Sequence, residues 1–361
     1  RLTAQLLAGS PARDPLAVAQ RLLAIQGQDP RGARLAIRAH TSGVTAADVD
    51  RELTEQRSLL ITWCNRGTLH LISSEDYPWL QALTTPPLIT QSTRRLSQEG
   101  LDPTMTRRAL AVVQRCVGEE GPLTRVQLRD RLQRADVPVA GQALIQILFR
   151  AAVEGLVVRG PIVGNQHAYV LVHDWLGPTG RAGSGRAGSV CRETALAELA
   201  RRYLAGHGPA GDRDLARWAG LPLRDARAGL SAIAGELREG QDDGRVDLRG
   251  RPRMAALPPP RLLGPWEPLL VGWASRAHVL AGGDTRVVSG GLFRSFALVH
   301  GRGVATWRLD GGGGVTIDPF APLSDDDARA LQRDGEALLR FLGAAAQSGP
   351  ATPSRDSGHV T

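Results

Sequence analysis

The chain has 361 residues, 42% of them hydrophobic, and its 44 basic side chains are all arginine, with no lysine anywhere. That absence excludes a phosphate-binding P-loop, a lysine Schiff base and a Ser-x-x-Lys acyl enzyme, each of which needs the missing amine. A formal charge of +8 favours polyanionic partners, nucleic acid first and anionic membrane second. Only Asn65 and Asn165 represent asparagine, so the composition reads as GC-rich codon bias, and the chemical exclusions hold whatever the cause. The length suggests two or three domains. No apolar run approaches the roughly 18–20 residues that span a bilayer, and the N-terminal stretch lacks a leader pattern, so the expectation is a cytoplasmic protein. The first residue, Arg1, is not methionine, which points to a segment upstream. Cys64, Cys116 and Cys191 are far apart, and the eight histidines show no metal spacing; neither a disulfide framework, a metal nor a cofactor is expected.

In chain order, Asp14-Pro15 reads as a helix start, with Leu16, Val18, Leu22, Leu23 and Ile25 as its apolar stripe. The stripe stops at Gln26-Gly27-Gln28-Asp29-Pro30, which places both glutamines at a helix end or turn. Helices are predicted over about 32–40 and 45–56, the second opened by a Thr45/Asp48 capping box, then strands over 59–63 and 68–72. Three helices and a hairpin outline a winged helix. The outline returns with helices from Pro103 to about Gly118, over 126–133 and over 139–154, and strands over 156–159 and 167–172. A Gly/Ser/Arg-rich stretch reads as a flexible basic linker. A third helical set covers 192–205, 213–218 and 223–237. Gly121-Pro122 and Gly208-Pro209 each separate a first from a second helix, and Leu128 and Leu215 each follow the proline by six residues, an internal repeat of 87 residues.

The last third changes character. Leu262–Trp273 is apolar apart from Glu267, and strand-like runs follow at 287–288, 293–299 and 304–309, with His300-Gly301-Arg302-Gly303 as a hairpin turn. Ser324 and three aspartates open a final helix. The expected architecture is mainly α with β, an α+β chain. Winged helices cover 1–100 and 101–176, a linker 177–189, a third winged helix 190–258, a β-rich region with a final helix 259–343, and a disordered tail 344–361.

Gln26-x-Gln28 is the feature that stands out chemically. A glutamine pair at a helix end has a structural reading as a cap or solvated surface. Its catalytic reading rests on its place in a nucleic-acid-binding outline, beside Asp29, on a chain with little other apparatus. Glutamine takes no proton at neutral pH, so Gln28 would orient a water by hydrogen bonding and Gln26 would help hold it, with Asp29 as the alternative base.

Four blocks, Leu23–Gln28, Arg66–Leu71, Leu262–Leu270 and Gly301–Arg308, stand in the order and approximate spacing of the AlkZ/YcaQ-like DNA glycosylases, which the chain resembles over about residues 1–342. The resemblance implies three tandem winged helices forming a concave basic surface, with a β-rich C-terminal part. It also implies excision of N7-alkylated purines from double-stranded DNA, including unhooking of interstrand crosslinks, and in some members self-resistance to a DNA-alkylating natural product. A Gln-x-Gln motif is catalytic in that branch, matched here by Gln26 and Gln28, and a hairpin in the cleft is needed for activity. Two departures stand out: Gly27 replaces a larger apolar residue, and Glu267 and Ser275-Arg276 replace an aspartate and an Asp-Arg pair.

Such a weak apparatus suits an activated leaving group. Alkylation at guanine N7 makes the base cationic, so that it departs neutral while positive charge moves to the sugar, where dipoles stabilise it. Without lysine, backbone cleavage through a Schiff base is open only to an N-terminal amine, so a monofunctional reaction is expected. Arg66, Arg276, Arg294 and Arg302 are the candidate DNA contacts, Arg302 at the tip of a candidate cleft hairpin. Trp63 and Trp307 read as core anchors and His70 as a core histidine near Arg66. The protein is expected to act as a monomer. The alternative is a non-enzymatic winged-helix regulator in which Gln26 and Gln28 are structural; such regulators are usually symmetric dimers on spaced half-sites.

Overall fold

A computed structural model describes residues 1–177, 191–239, 244–251, 256–281, 285–311 and 313–343. The linker expected over 177–189, apart from Gly177, and the tail expected over 344–361 lie outside these residues. Helix α1 (Pro15–Leu22) starts where the Asp14 carboxylate accepts from the Ala17 amide at 2.7 Å. Leu23, at φ +66°, ends it and turns the chain into the short strand β1 (Ile25–Gln26). Helices α2 (Pro30–His40) and α3 (Ala46–Thr54) follow, the first capped by Asp29 and the second by the Thr45/Asp48 box. Strands β2 (Leu59–Cys64) and β3 (Thr68–Ser73) are joined by the tight turn Asn65–Gly67.

Two helices the sequence did not announce come next, α4 (Tyr77–Thr84) and α5 (Pro86–Gln98). Their prolines all lie in the first turn, where a missing amide costs nothing. The second set is α6 (Pro103–Glu120), α7 (Arg125–Arg134), α8 (Ala143–Val153), β4 (Val157–Val163) and β5 (Gln166–Leu171), closed by the short α9 (Val172–Leu176). The third is α10 (Arg192–His207), α11 (Asp212–Ala219) and α12 (Leu223–Ala232), with the hairpin strands β6 (Leu237–Glu239) and β7 (Val246–Leu248). Here the expected helix over 223–237 stops short and gives way to a strand. The repeat is visible in the backbone: Leu123 bridges Tyr169 and Ala210, 87 residues on, bridges Val246, each by a reciprocal pair of amide–carbonyl bonds.

The remainder comprises β8 (Arg261–Leu263), α13 (Pro268–Val271), β9 (Val288–Ser289), β10 (Leu292–Phe293), β11 (Phe296–Val299), β12 (Arg302–Leu309), β13 (Val315–Pro319) and α14 (Asp325–Leu342). Strands β13-β12-β11-β8 form one antiparallel sheet. His300 and Gly301, at φ +50° and +78°, make the two-residue turn of its central hairpin.

The first two hairpins share a sheet of order β1-β3-β2-β4-β5, joined where Ile61 of β2 pairs with Arg159 of β4. Alternation along β1, β2 and β3 divides the core. Ile25, Ile61, Trp63, Leu69 and Leu71 belong to one cluster, with α2, α3 and α8; Leu60, Cys64 and Ile72 belong to another, which includes Tyr203 and Leu204 of α10 and Trp218 of α11. The face toward α10 and α11 carries three polar exceptions side by side, Thr62, His70 and Gln26. Trp63 and Trp307 are buried as core anchors, the latter donating from Nε1 to the Leu263 carbonyl at 2.8 Å. No helix among the described residues is long and apolar enough to cross a membrane.

Candidate active site

Gln26 sits on a sheet edge, not at the helix end or turn that its neighbours suggested, whereas Gln28 does lie in a bend, directly before the Asp29 cap of α2. Gln26 pairs in register with His70, and the Gly27 amide extends the pairing by donating to the Leu69 carbonyl at 2.7 Å. The pairing fixes the direction of the side chains. Gln26 is only 4% exposed and lies on the face with His70, whereas Gln28, just past the strand, is exposed. Gln26 Nε2 donates to Gln28 Oε1 at 2.5 Å. Asp29 accepts from the Arg31 amide at 2.9 Å as the cap of α2, so its carboxylate is engaged in helix initiation.

Arg66 occupies the turn between β2 and β3 at φ +49°. Its Nη2 donates to Gln26 Oε1 at 3.3 Å and its Nη1 donates to the carbonyl of Trp218, near the C-terminus of α11. The sequence placed Arg66 among solvent-facing DNA contacts; in the structure it is turned inward and mostly buried, and burial, with repulsion from Arg217 and Arg276, lowers its pKa. Arg276 donates to the Leu270 carbonyl at 3.0 Å and covers the Phe293 ring at 4.9 Å, and Phe293 packs against Trp266 at 4.7 Å. The side chain of Arg217, on α11, is exposed and makes no hydrogen bond or ion pair among the described residues. Nothing in the local sequence sets it apart from Arg213 of the same helix. Arg294 and Arg302 are exposed, each with one backbone contact, to Arg286 and Ala277. The His300 hairpin packs toward Leu2 and Leu257, and His300 lies 3.5 Å from Asp327 of α14.

His70 supplies no acid. Its Nδ1 faces the Thr68 carbonyl at 2.9 Å, and burial, helped by Arg66, holds its pKa down to about 3. His207, stacked on Tyr203 at 4.8 Å, is likewise held at about 3 by burial. Both are therefore neutral in the folded state above that value and regain an ordinary pKa on unfolding. Below about pH 6.5 the unfolded chain binds more protons than the folded one, so stability is full above that pH and is lost as pH falls toward 3. A urea midpoint that drops between about pH 7.5 and about pH 4.5 is expected; an unchanged midpoint would contradict the assignment. Among the described residues, no group of three or more His, Cys, Asp and Glu could hold a metal ion.

A family model described as DNA glycosylase AlkZ-like matches residues 19–341. The chain belongs to this family. An interstrand DNA cross-link repair glycosylase of Streptomyces sahachiroi is 25% identical to it over 90% of either chain. The solved structure of the DNA glycosylase AlkZ from the same organism shares the fold, with a TM-score of 0.73 at 21% identity, covering 95% of this chain and 94% of the other. Membership makes DNA the substrate.

On this AlkZ-like scaffold the four sequence blocks turn out to be neighbours. Block one is the turn that leaves α1 together with β1; block two is the Arg66 turn and β3, which pairs with β1. The third and fourth brace α2 from behind. Arg38 of α2 donates to the Leu262 carbonyl at 3.1 Å and to Asp334 of α14 at 2.6 Å, while Trp307 of β12 holds the Leu263 carbonyl. Glu267, fully buried, meets His40 Nε2 at 2.8 Å, and His40 Nδ1 meets the Gln5 carbonyl. Glu267 is thus a buried brace for the far end of α2.

The departure at Gly27 also has a local cause. A Cβ there would lie 3.3 Å from the Leu71 amide nitrogen and 3.4 Å from Ile61 Cγ2, on the face opposite Gln26. Ile61 already fills the space a larger middle residue would use. Gly27→Leu is expected to overpack this face and cost about 1–3 kcal/mol of stability, and adding Ile61→Ala is expected to recover part of it. Denaturant midpoints for the two variants check this, and a Gly27→Leu midpoint equal to wild type would show the space to be free.

Proposed function

We propose that the protein is a monofunctional DNA glycosylase that hydrolyses the N-glycosidic bond of N7-alkylated purines in double-stranded DNA, leaving an abasic site. The observation that carries this reading is the Gln26–Gln28 pair, hydrogen-bonded at 2.5 Å and ending on an exposed amide, with the one adjacent carboxylate, Asp29, tied up as a helix cap. An amide pair orients water but carries no negative charge and accepts no proton at neutral pH. In the reaction the water oxygen bonds to C1′, the C1′–N9 bond breaks with its electron pair going to the cationic purine, and the excess proton leaves to solvent. The purine departs neutral, so no acid is needed at the leaving group. Amide dipoles lower the barrier by facing the charge that develops on the sugar. Bulky adducts and interstrand crosslinks fall within the same chemistry, because nothing in it depends on the size of the alkyl group. Self-resistance to a DNA-alkylating natural product is the biological role that follows, exercised by a monomer on cytoplasmic DNA.

The test compares duplexes carrying one N7-methylguanine or one uracil. Release of free N7-methylguanine with formation of abasic sites, and little release of uracil, is expected; comparable rates on the two duplexes would sink the proposal. Borohydride added during turnover is expected to trap no covalent adduct, in keeping with water as nucleophile and a chain without lysine.

A further inference from the structure

We infer that Arg66 is a positioning residue of the active site, which sets the orientation of both glutamine amides from an anchor on α11, and is not a contact to DNA phosphate. The inference rests on the glycosylase reading for its kinetic consequence and on geometry for the rest. A guanidinium has donors only, so the Gln26 atom that faces it at 3.3 Å is the carbonyl oxygen. The Gln26 amide nitrogen is then left to face Gln28, which must receive it with Oε1, as the 2.5 Å bond requires. Gln28 is consequently left with its NH₂ group and one Oε1 lone pair, two N–H donors and one acceptor for a water or a sugar-phosphate oxygen. Arg66 therefore donates both ways, to the Trp218 carbonyl and to Gln26, and the donor direction that it sets continues from Gln26 to Gln28.

The anchor is rigid. Trp218 is 1% exposed and packs against the rings of Tyr203 at 5.1 Å and His207 at 5.2 Å. Its carbonyl belongs to the last turn of α11, where carbonyls lack helical partners and the dipole favours a cation. Gly220, at φ +71° just past that helix, lets the Arg66 turn approach: a Cβ there would lie 2.5 Å from the Arg66 nitrogen and 2.9 Å from its Cα. With Nη1 on Trp218 and Nη2 on Gln26, both arms of the fork are held in place from inside the protein, and the third helical set becomes part of the apparatus that orients the glutamines.

Arg66→Met and Gly220→Ala test this by different routes, the first removing the fork and the second displacing it with its charge intact. Both are expected to lower the single-turnover rate of N7-methylguanine release at saturating enzyme by about 10²-fold, the effect of a misplacement of about 1 Å. Affinity for the duplex and its dependence on salt are expected to stay at wild-type values. A salt slope reduced by about 0.9 with the saturated rate unchanged would make Arg66 a phosphate contact and overturn the inference. A second readout is independent of turnover: hydrogen exchange of the Gln26 side-chain amide by nuclear magnetic resonance, expected to be slow in wild type and fast in both variants. If wild type released no base, the glycosylase reading would fail alone, and equal exchange in wild type and variants would overturn the positioning role.

Discussion

Replacing Gln28 by alanine is expected to slow single-turnover release of N7-methylguanine by about 10²–10³-fold, the usual cost of removing one preorganised dipole from a developing charge. Duplex affinity should change little, because Gln28 carries no charge to set against a phosphate. Gln28 is a cleaner probe than Gln26. It is exposed at the end of the hydrogen-bonded chain, whereas Gln26→Ala would also leave the inward-facing Arg66 without its partner. Base release unchanged by Gln28→Ala would move catalysis elsewhere, to Asp29 first. That alternative needs Asp29 to leave its place as cap of α2, so Asp29→Ala would then lower both the rate and the stability of the helix start, by roughly 1 kcal/mol for the lost cap.

Affinity for duplex DNA is expected to fall roughly 10³–10⁵-fold between about 50 and 200 mM salt if about 6–10 phosphates are contacted. The physical cause is release of condensed counterions as guanidiniums replace them on the backbone, and on this chain every side-chain ammonium has been replaced by a guanidinium. The planar fork can take a phosphate through two hydrogen bonds, so a lysine-free surface loses nothing as a polyanion binder. Arg217 is the most open candidate near the glutamine pair: its side chain is exposed, has no partner among the described residues and lies close enough to Arg66 and Arg276 to repel both. Arg217→Gln should lower the slope of log affinity against log salt by about 0.9 and weaken damaged and undamaged duplexes alike. Arg276, Arg294 and Arg302 are expected to give smaller changes, since each spends a donor on a backbone carbonyl. Affinity that stays flat over this salt range would remove the phosphate backbone as the main source of binding.

Much of the chain was legible locally. Caps at Asp14, Thr45 and Ser324 mark helix starts because a side-chain acceptor and the amides it satisfies lie within three residues of each other. The Gly-Pro pairs announced the repeat because a break between two helices is a property of those two residues. Helices α4 and α5 were not announced: prolines at 78, 86 and 87 occupy helix starts there, but in a sequence proline more often reads as an interruption. Strand β1 was missed for another reason. Two residues carry no periodicity, and β1 exists only because β3, some 45 residues further on, offers an open edge.

The sequence by itself determined what side-chain chemistry was available: no lysine, hence no lysine Schiff base, a guanidinium in place of every side-chain ammonium, and a Gln-x-Gln pair able to orient water but not to deprotonate it. Those conclusions need only the side-chain inventory, which folding does not alter. The tertiary structure decided which of these groups meet. It set Gln26 on an edge strand beside His70, fused two hairpins through Ile61 and Arg159, and turned Arg66 away from solvent onto Gln26 and the Trp218 carbonyl, 152 residues distant in the chain. Contacts across such separations depend on how sheets pair and helices pack, and no short stretch of sequence records them. The same arginine that its place at a turn made a candidate DNA contact is, once folded, an internal donor to a glutamine.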